Sequence, residues 1–130
     1  MILVDTSVWI DFFSSAPGAT GRELRRMIAD AEPLALAGII VSEILQGLTR
    51  NVDQIERHLR SWVLLEPAGF ETYRNSAVIF RQARSRGLTL TTTDALIAAI
   101  AMEKGVPLFT LDKDFARIAR FTPLRLYRPR

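Results

Sequence analysis

Two aspartates directly follow short apolar segments of the sequence. Asp5 comes after the run 2–4, and Asp112 comes after the segment that ends with Phe109 and Thr110. Short apolar runs of this kind are typical of buried parallel strands. Because open parallel sheets bind ligands at the carboxyl ends of their strands, both carboxylates are candidates for one site.

Two further acids begin or border apolar helical segments. Asp94 precedes the run 95–102, which is apolar on all sides and predicts a buried helix with one charge at its start. The helix dipole alone favours such a carboxylate by about 0.3–1 kcal/mol, so Asp94 also has a purely structural explanation. Glu43 borders an apolar stripe of Ile40, Ile44 and Leu48. A charge there is costly unless it is paired, binds a metal or reaches solvent.

Four carboxylates at one sheet edge would repel one another, and a divalent cation would remove that penalty. The sequence has no cysteine and a single histidine, His58, so the ligands must be mostly oxygens, which favours Mg²⁺ or Mn²⁺. A cation held this way can polarise a phosphoryl oxygen and lower the pKa of a bound water. The predicted metal-binding and catalytic set is Asp5, Glu43, Asp94 and Asp112.

Apolar runs alternate with helical patterns along the chain, and this order predicts an α/β fold with a mostly parallel sheet. The predicted strands cover 2–4, 34–37, 62–65, 107–110 and 124–127. The predicted helices cover 9–13, 20–30, 40–49, 52–60, 70–86, 94–104 and 112–119. Asp5, Thr6 and Ser7 offer capping side chains for the first helix. The length of 130 residues fits one domain, 1–130.

Composition excludes several classes of protein. The absence of cysteine excludes a disulfide framework and thiol catalysis. No apolar stretch approaches the ~20 residues of a membrane span, and the first residues do not resemble a signal peptide. We therefore expect a cytoplasmic protein with no membrane contact. The net charge of +3 is compatible with an anionic polymer as partner.

Four short motifs follow one another along the chain. They are MILVDTS at 1–7, SEILQG at 42–47, TDALIAAIA at 93–101 and FTLDKDF at 109–115. Together they resemble the motifs of PIN-domain proteins, in particular the VapC-type toxins of bacterial and archaeal toxin–antitoxin pairs. The resemblance runs from Met1 to about Phe121.

The resemblance implies a three-layer α/β/α fold with about five parallel strands. It also implies a Mg²⁺- or Mn²⁺-dependent endoribonuclease, a homodimer and a cognate antitoxin. Asp5, Glu43, Asp94 and Asp112 correspond by position to the acidic site. Asp114 matches a further acid, and the division of roles between Asp112 and Asp114 stays open. The side chains that match supporting polar positions are Thr6, Ser7 and Thr110.

Basic residues are candidates for contacts with RNA phosphates, although arginines on helices are ordinarily just solvated. These candidates are Arg22, Arg25, Arg26, Arg81, Arg84, Arg86, Lys113 and Arg117. From residue 113 onwards the sequence is basic, with a single acid, Asp114. The members of this basic segment are Lys113, Arg117, Arg120, Arg125, Arg128 and Arg130.

Aromatic residues Trp9, Phe12 and Phe13 fit either core packing or a groove for an antitoxin segment. His58 fits an ordinary surface position on its helix.

Two other functional classes stay open at this point. One is another metal-dependent nuclease or phosphatase, which would also use clustered acids. The other is a non-catalytic α/β module that binds nucleic acid or nucleotide, although the sequence has no glycine-rich phosphate loop.

Overall fold

The computed structural model describes residues 1–129, so Arg130 of the basic segment lies outside the described residues. The sheet has the order β3-β2-β1-β4, and every pairing in it is parallel. The strands are β1 (Ile2–Val4), β2 (Leu34–Ala37), β3 (Val63–Leu65) and β4 (Leu108–Phe109). The predicted α/β class is confirmed.

Helices connect the strands and cover the sheet in a three-layer α/β/α arrangement. Each of the predicted helices is present, with ends that differ from the prediction by a few residues. They are α1 (Thr6–Phe13), α2 (Ala19–Ala29), α3 (Gly38–Gln46), α4 (Val52–Arg60), α5 (Phe70–Ser85), α6 (Thr92–Lys104) and α7 (Lys113–Ile118). Within residues 1–129, no helix is both long and apolar enough to cross a lipid bilayer.

The predicted fifth strand at 124–127 is not a full strand, and this prediction was wrong. Leu126 forms one parallel bridge with Leu108. The Leu108 N–H donates to the Arg125 carbonyl at 2.9 Å, and the Tyr127 N–H donates to the Leu108 carbonyl at 2.8 Å. Because β4 contains only two residues, it has room for a single pair on this side. The sheet therefore has four strands rather than about five.

The core lies where the central strands meet α6. Leu3 and Val4 of β1 are fully buried, as are Ile97 and Ala98 of α6. This burial confirms that the apolar segment after Asp94 is a core helix. Since β1 lies between β2 and β4, its carboxyl end is at the centre of the sheet edge.

The first two helices are joined by a cap that the sequence analysis missed. The Asp11 carboxylate on α1 accepts hydrogen bonds from the backbone N–H of Gly18 at 3.0 Å and of Gly21 at 2.7 Å. These bonds satisfy the free N–H groups at the start of α2, and they hold the pKa of Asp11 below its ordinary value. A Cβ at Gly21 would lie 3.0 Å from the Asp11 backbone, so only glycine permits this approach.

Candidate metal centre

Three aspartates from the last two helical segments come together at the carboxyl end of the sheet. Asp94, Asp112 and Asp114 each offer one carboxylate oxygen, and these oxygens all lie within 4.8 Å of one another. Asp94 is in the first turn of α6, Asp112 is the N-cap of α7, and Asp114 is in the first turn of α7. One cation could therefore contact all three side chains.

Asp5 lies at the end of β1, as the sequence predicts, but its side chain does not cap α1. Its backbone N–H donates to the Phe109 carbonyl at 2.8 Å, which fixes the end of β1 beside the end of β4. Its Oδ2 atom accepts from the Ser7 hydroxyl at 2.9 Å and from the Thr110 hydroxyl at 2.8 Å. The residue is only 5% exposed. Burial raises the pKa of Asp5, and the two hydroxyl bonds partly offset this effect.

The two hydroxyls that hold Asp5 are themselves held by the backbone of the loop after β4. The Leu111 N–H donates to Ser7 Oγ at 3.0 Å, and the Asp112 N–H donates to Thr110 Oγ1 at 3.0 Å. Each hydroxyl thus accepts from a backbone N–H and donates to Asp5 Oδ2. Both hydroxyl bonds end on Oδ2, so Oδ1 is the carboxylate oxygen with no side-chain partner among the described residues.

Glu43 is oriented by a hydroxyl at the start of α1. The Thr6 hydroxyl donates to Glu43 Oε1 at 2.7 Å, a contact between residues that are 37 positions apart. Glu43 is half-buried on α3. This bond aims the carboxylate towards the end of β1, where Asp5 lies.

The electrostatics of Asp94 show that the acids converge. The pKa of Asp94 is raised to about 6, first because the carboxyl is partly buried and then because Asp112, Asp5 and Glu43 carry like charges nearby. The Thr91 hydroxyl accepts from the Asp94 N–H at 3.0 Å and caps α6. The structure therefore groups Asp94, Asp112 and Asp114, with Asp5 and Glu43 near enough for their charges to act on Asp94.

The acids on α7 have partners of their own. Asp112 Oδ1 accepts from the Asp114 N–H at 2.9 Å, which caps the helix. Asp114 Oδ1 accepts from the Arg117 guanidinium at 2.7 Å. The two residues are three positions apart on the helix, a spacing that brings opposite charges together. The ion pair places one of the predicted RNA-binding cations directly beside the acidic centre.

The other predicted phosphate-binding residues are spread over the surface. The Arg26 guanidinium is occupied by an ion-pair network with Glu23, Asp30 and Glu32. Arg22 donates to the Pro17 carbonyl at 2.9 Å. Arg25 and Lys113 are exposed. Lys113 and Arg117 are the two of these five candidates that lie on α7, the helix that carries Asp114.

The aromatic residues form a cluster around His58. Trp9 is fully buried and donates from Nε1 to the Val4 carbonyl at 3.2 Å, so it belongs to the core. The His58 ring lies within 6.0 Å of the rings of Trp9, Phe12, Phe13 and Trp62. His58 is half-buried rather than fully exposed. The contact between its ring and the α1 aromatics was not predicted, because the cluster joins two separate segments, 9–13 and 58–62. Burial lowers the pKa of His58.

Comparison with known proteins agrees with this geometry. The family model of the PIN domain matches residues 2–121. The chain is 36% identical over 129 residues to the VapC ribonuclease Mb1587 of Mycobacterium bovis, and the match covers 96% of each protein. It superimposes on a chain of VapBC2 from Rickettsia felis, solved with a DNA fragment from its promoter, with a TM-score of 0.75. Identity in that match is 18%, and 98% of each chain is covered.

A second solved structure, VapBC-1 from nontypeable Haemophilus influenzae, gives a TM-score of 0.75 at 21% identity and covers 98% of this chain and 97% of that chain. At these identities the superpositions bear on the fold alone. The structure is that of an α/β protein with an acidic cluster beside a parallel sheet. The chain belongs to the PIN-domain family. Its relatives within that family include VapC ribonucleases, so the resemblance read from the four motifs is confirmed.

Proposed function

We propose that this chain is the toxin of a toxin–antitoxin pair and acts as an endoribonuclease that hydrolyses RNA phosphodiester bonds with Mg²⁺ or Mn²⁺. The observation that carries the proposal is the convergence of Asp94, Asp112 and Asp114, whose carboxylate oxygens lie within 4.8 Å of one another. The similarity to a VapC ribonuclease over almost the whole chain supports the activity.

The donors at this centre fit a hard divalent cation. The sequence has no cysteine, and its one histidine lies in the aromatic cluster. The donors are therefore carboxylate oxygens, which suit Mg²⁺ and Mn²⁺. When bound, such a cation supplies a polarised phosphoryl oxygen and a water of lowered pKa.

The aspartates bind the cation in this proposal. Asp94, Asp112 and Asp114 supply oxygens that one ion can reach together. Asp5 presents Oδ1, because its Oδ2 is occupied by two hydroxyl bonds. The hydroxyls act as positioning groups, since they fix the carboxylate before the substrate arrives.

Glu43 completes the catalytic set and either joins the ligands or orients the attacking water. The Thr6 hydroxyl holds Glu43 Oε1, so Oε2 is the atom available for this role. A carboxylate in this position can accept a proton from water as it attacks phosphorus. Thr6 is thus a positioning residue for Glu43.

Cleavage of RNA by the purified protein tests the proposal. We expect cleavage with Mg²⁺ or Mn²⁺, none with EDTA, and none by Asp5→Asn, whose side chain is isosteric but cannot carry the negative charge. Asp53→Asn is the matched control, because Asp53 is an exposed acid on α4. Cleavage by Asp5→Asn at the rate of the control, or full cleavage in EDTA, would contradict the assignment.

We further propose that the protein works in the cytoplasm as a homodimer and is inhibited by a cognate antitoxin. The structural neighbours solved as VapBC pairs support a protein partner. Phe12 and Phe13 are half-buried beside the fully buried Trp9, so they are the part of the aromatic cluster that an antitoxin segment could contact. Co-expression with the product of a neighbouring small gene should give a complex without ribonuclease activity. If the co-expressed chain instead purifies alone and with full ribonuclease activity, this part of the proposal is contradicted.

A further inference from the structure

A basic cavity lies between the ends of α5 and α7. It has a volume of about 420 Å³, and its lining contains three arginines, an aromatic ring and a leucine, with no acidic side chain among the described residues. The lining residues are Arg86, Leu88, Arg117, Arg120 and Phe121. Arg117 is paired with Asp114, but Arg86 and Arg120 have no acidic partner in the lining, so the cavity carries a positive charge that suits an anion.

The walls of the cavity are fixed by the ends of two helices. After α5 the chain turns at Gly87, whose φ of 76° is in the left-handed region that glycine adopts easily. The Leu88 N–H then donates back to the Ala83 carbonyl at 2.9 Å. On the other wall, the Phe121 N–H donates to the Ile118 carbonyl at 3.1 Å at the end of α7. The cavity is therefore part of the folded framework and does not depend on a long loop.

The Arg86 guanidinium is held in place by an aromatic ring. Its Cζ lies 4.5 Å from the centroid of the Phe121 ring, within the range of a cation–π contact. Its Nη1 also donates to the Gln82 carbonyl at 3.3 Å, which further fixes the guanidinium. A guanidinium has five N–H donors, so others remain for an anion, and a fixed side chain loses less entropy on binding than a mobile one.

The cavity adjoins the acidic centre through one shared residue. Arg117 lines the cavity and also donates to Asp114 Oδ1 at 2.7 Å. A guanidinium has five N–H donors, so Arg117 can contact Asp114 and an anion at the same time. An anion in the cavity would thus lie next to a phosphate that is bound at the acidic centre.

We propose that this cavity is a second phosphate subsite, which takes a phosphodiester of the RNA chain next to the one that is cleaved. The proposal rests on the ribonuclease function proposed above. RNA is a polyanion, and the carboxylates of the centre repel the phosphates on either side of the scissile bond. Arg86, Arg117 and Arg120 offset this repulsion and fix the direction in which the strand crosses the site.

The test uses Arg86→Ala/Arg120→Ala and leaves Arg117 intact, because loss of Arg117 would also change Asp114. Arg57→Ala on α4 is the control, since it removes the same charge from a residue outside the cavity. The probe is a labelled single-stranded RNA of mixed sequence, because phosphate contacts carry no sequence information. Its dissociation constant is measured in EDTA over a range of salt concentrations, and its cleavage is measured with Mg²⁺.

We expect the double variant to raise the dissociation constant and KM about tenfold, because charge-assisted hydrogen bonds are lost, while kcat stays within about twofold. The slope of log K against log salt should become less steep by about 0.7 for each lost phosphate contact. Unchanged binding, KM and salt slope would overturn the subsite, as would an equal effect of Arg57→Ala. If loss of the Arg86–Phe121 contact unfolds the double variant, Arg120→Ala alone replaces it in the test. This single variant should raise KM and make the salt slope less steep, as expected for the double variant.

The two proposals can fail separately. If the wild-type protein binds RNA through these arginines but does not cleave it with any divalent cation, the subsite stands and the ribonuclease function is wrong. If the wild-type protein cleaves RNA and the double variant matches it in binding and KM, the subsite is wrong and the ribonuclease function stands.

Discussion

Thr110 contacts two acids of the centre at once. Its hydroxyl donates to Asp5 Oδ2 at 2.8 Å and accepts from the Asp112 N–H at 3.0 Å. Valine has the same shape but makes neither bond, so Thr110→Val should loosen the Asp5 carboxylate and the backbone that carries Asp112. Loss of such a supporting group typically lowers metal affinity or activity about 10- to 100-fold.

A titration of RNA cleavage against Mg²⁺ measures this effect. Thr110→Val should need more Mg²⁺ for half-maximal cleavage than the wild type. Thr89→Val is the control, because Thr89 is exposed and outside the hydroxyl network. Equal Mg²⁺ dependence in the two variants would show that Thr110 does not position the acids.

The raised pKa of Asp94 predicts a pH dependence of stability in the metal-free protein. The pKa of its carboxyl is about 6 in the folded protein against an ordinary value of 3.8, so the folded state binds the proton more tightly than the unfolded chain does. The stabilisation is complete below the lower value and is lost as the pH rises through about 6. In EDTA, the free energy of unfolding of the wild type should fall between pH 5 and pH 7 relative to that of Asp94→Asn.

Urea unfolding of both proteins at the two pH values checks this prediction. The comparison with Asp94→Asn removes the contributions of titrating groups that lie away from the acidic centre, which the two proteins share. The same change of stability with pH in both would mean that the pKa of Asp94 is raised neither by its burial nor by the neighbouring charges.

At the residue scale, the sequence was sufficient to place acids at the edge of the sheet but not to identify the side chains that contact them. Asp5 and Asp112 could be placed because strand ends meet at one sheet edge. The i,i+3 spacing of Asp114 and Arg117 permits their ion pair, but the same helix pattern does not show whether the arginine turns to this acid or to solvent. The burial of His58 was not foreseen, because three of its four aromatic neighbours come from α1, more than forty residues earlier in the sequence.

At the scale of elements, the contact of α1 with α2 depends on the absence of a side chain at Gly21. A Cβ there would lie 2.9 Å from Asp11 Oδ2 and 3.0 Å from both the Asp11 backbone carbon and the Phe12 backbone nitrogen. Gly21→Ala should therefore push the helices apart and lower the free energy of unfolding by about 1–3 kcal/mol.

Equilibrium unfolding in urea measures the loss. Gly38→Ala is the matched control, because a Cβ at Gly38 meets no atom within 4 Å, and it should be neutral or slightly stabilising. If both substitutions have the same effect, the close approach of the two helices is not what requires glycine.

Helix ends were easier to predict than the last strand. Gly87 and Gly105 both follow predicted helices and both have positive φ, as expected for helix termini. The segment 124–127 has the apolar character of a strand, yet it forms only one bridge. Its partner β4 has only two residues and ends at Phe109, so the strand character of 124–127 meets a short partner that local sequence preference does not reveal.

At the scale of the whole molecule, a bound cation should stabilise the fold. The aspartates come from separate segments, so the site exists only in the native state, and a ligand that binds only this state raises the free energy of unfolding. At Mg²⁺ about 100-fold above its dissociation constant, the gain is about 2.7 kcal/mol. Thermal unfolding should show a higher Tm with Mg²⁺ than with EDTA.

Asp94→Asn provides the control for this measurement, because it removes one ligand and also part of the charge repulsion. Its Tm should respond much less to Mg²⁺ and should exceed that of the wild type in EDTA at neutral pH. A rise in Tm of the same size in both proteins would point to cation binding elsewhere. We also expect one cooperative transition, in line with the proposal that residues 1–130 form a single domain.

The hydrogen bond between Thr110 and Asp5 joins residues 105 positions apart. During synthesis on the ribosome, β1 and Asp5 emerge early, whereas β4, Asp112 and Asp114 emerge only after most of the chain has been made. A nascent or prematurely terminated chain that lacks α7 therefore has no assembled centre, even if its first half is already folded. In this way, the pairing of β1 with β4 delays assembly of the proposed metal centre until residues 112–114 have been made.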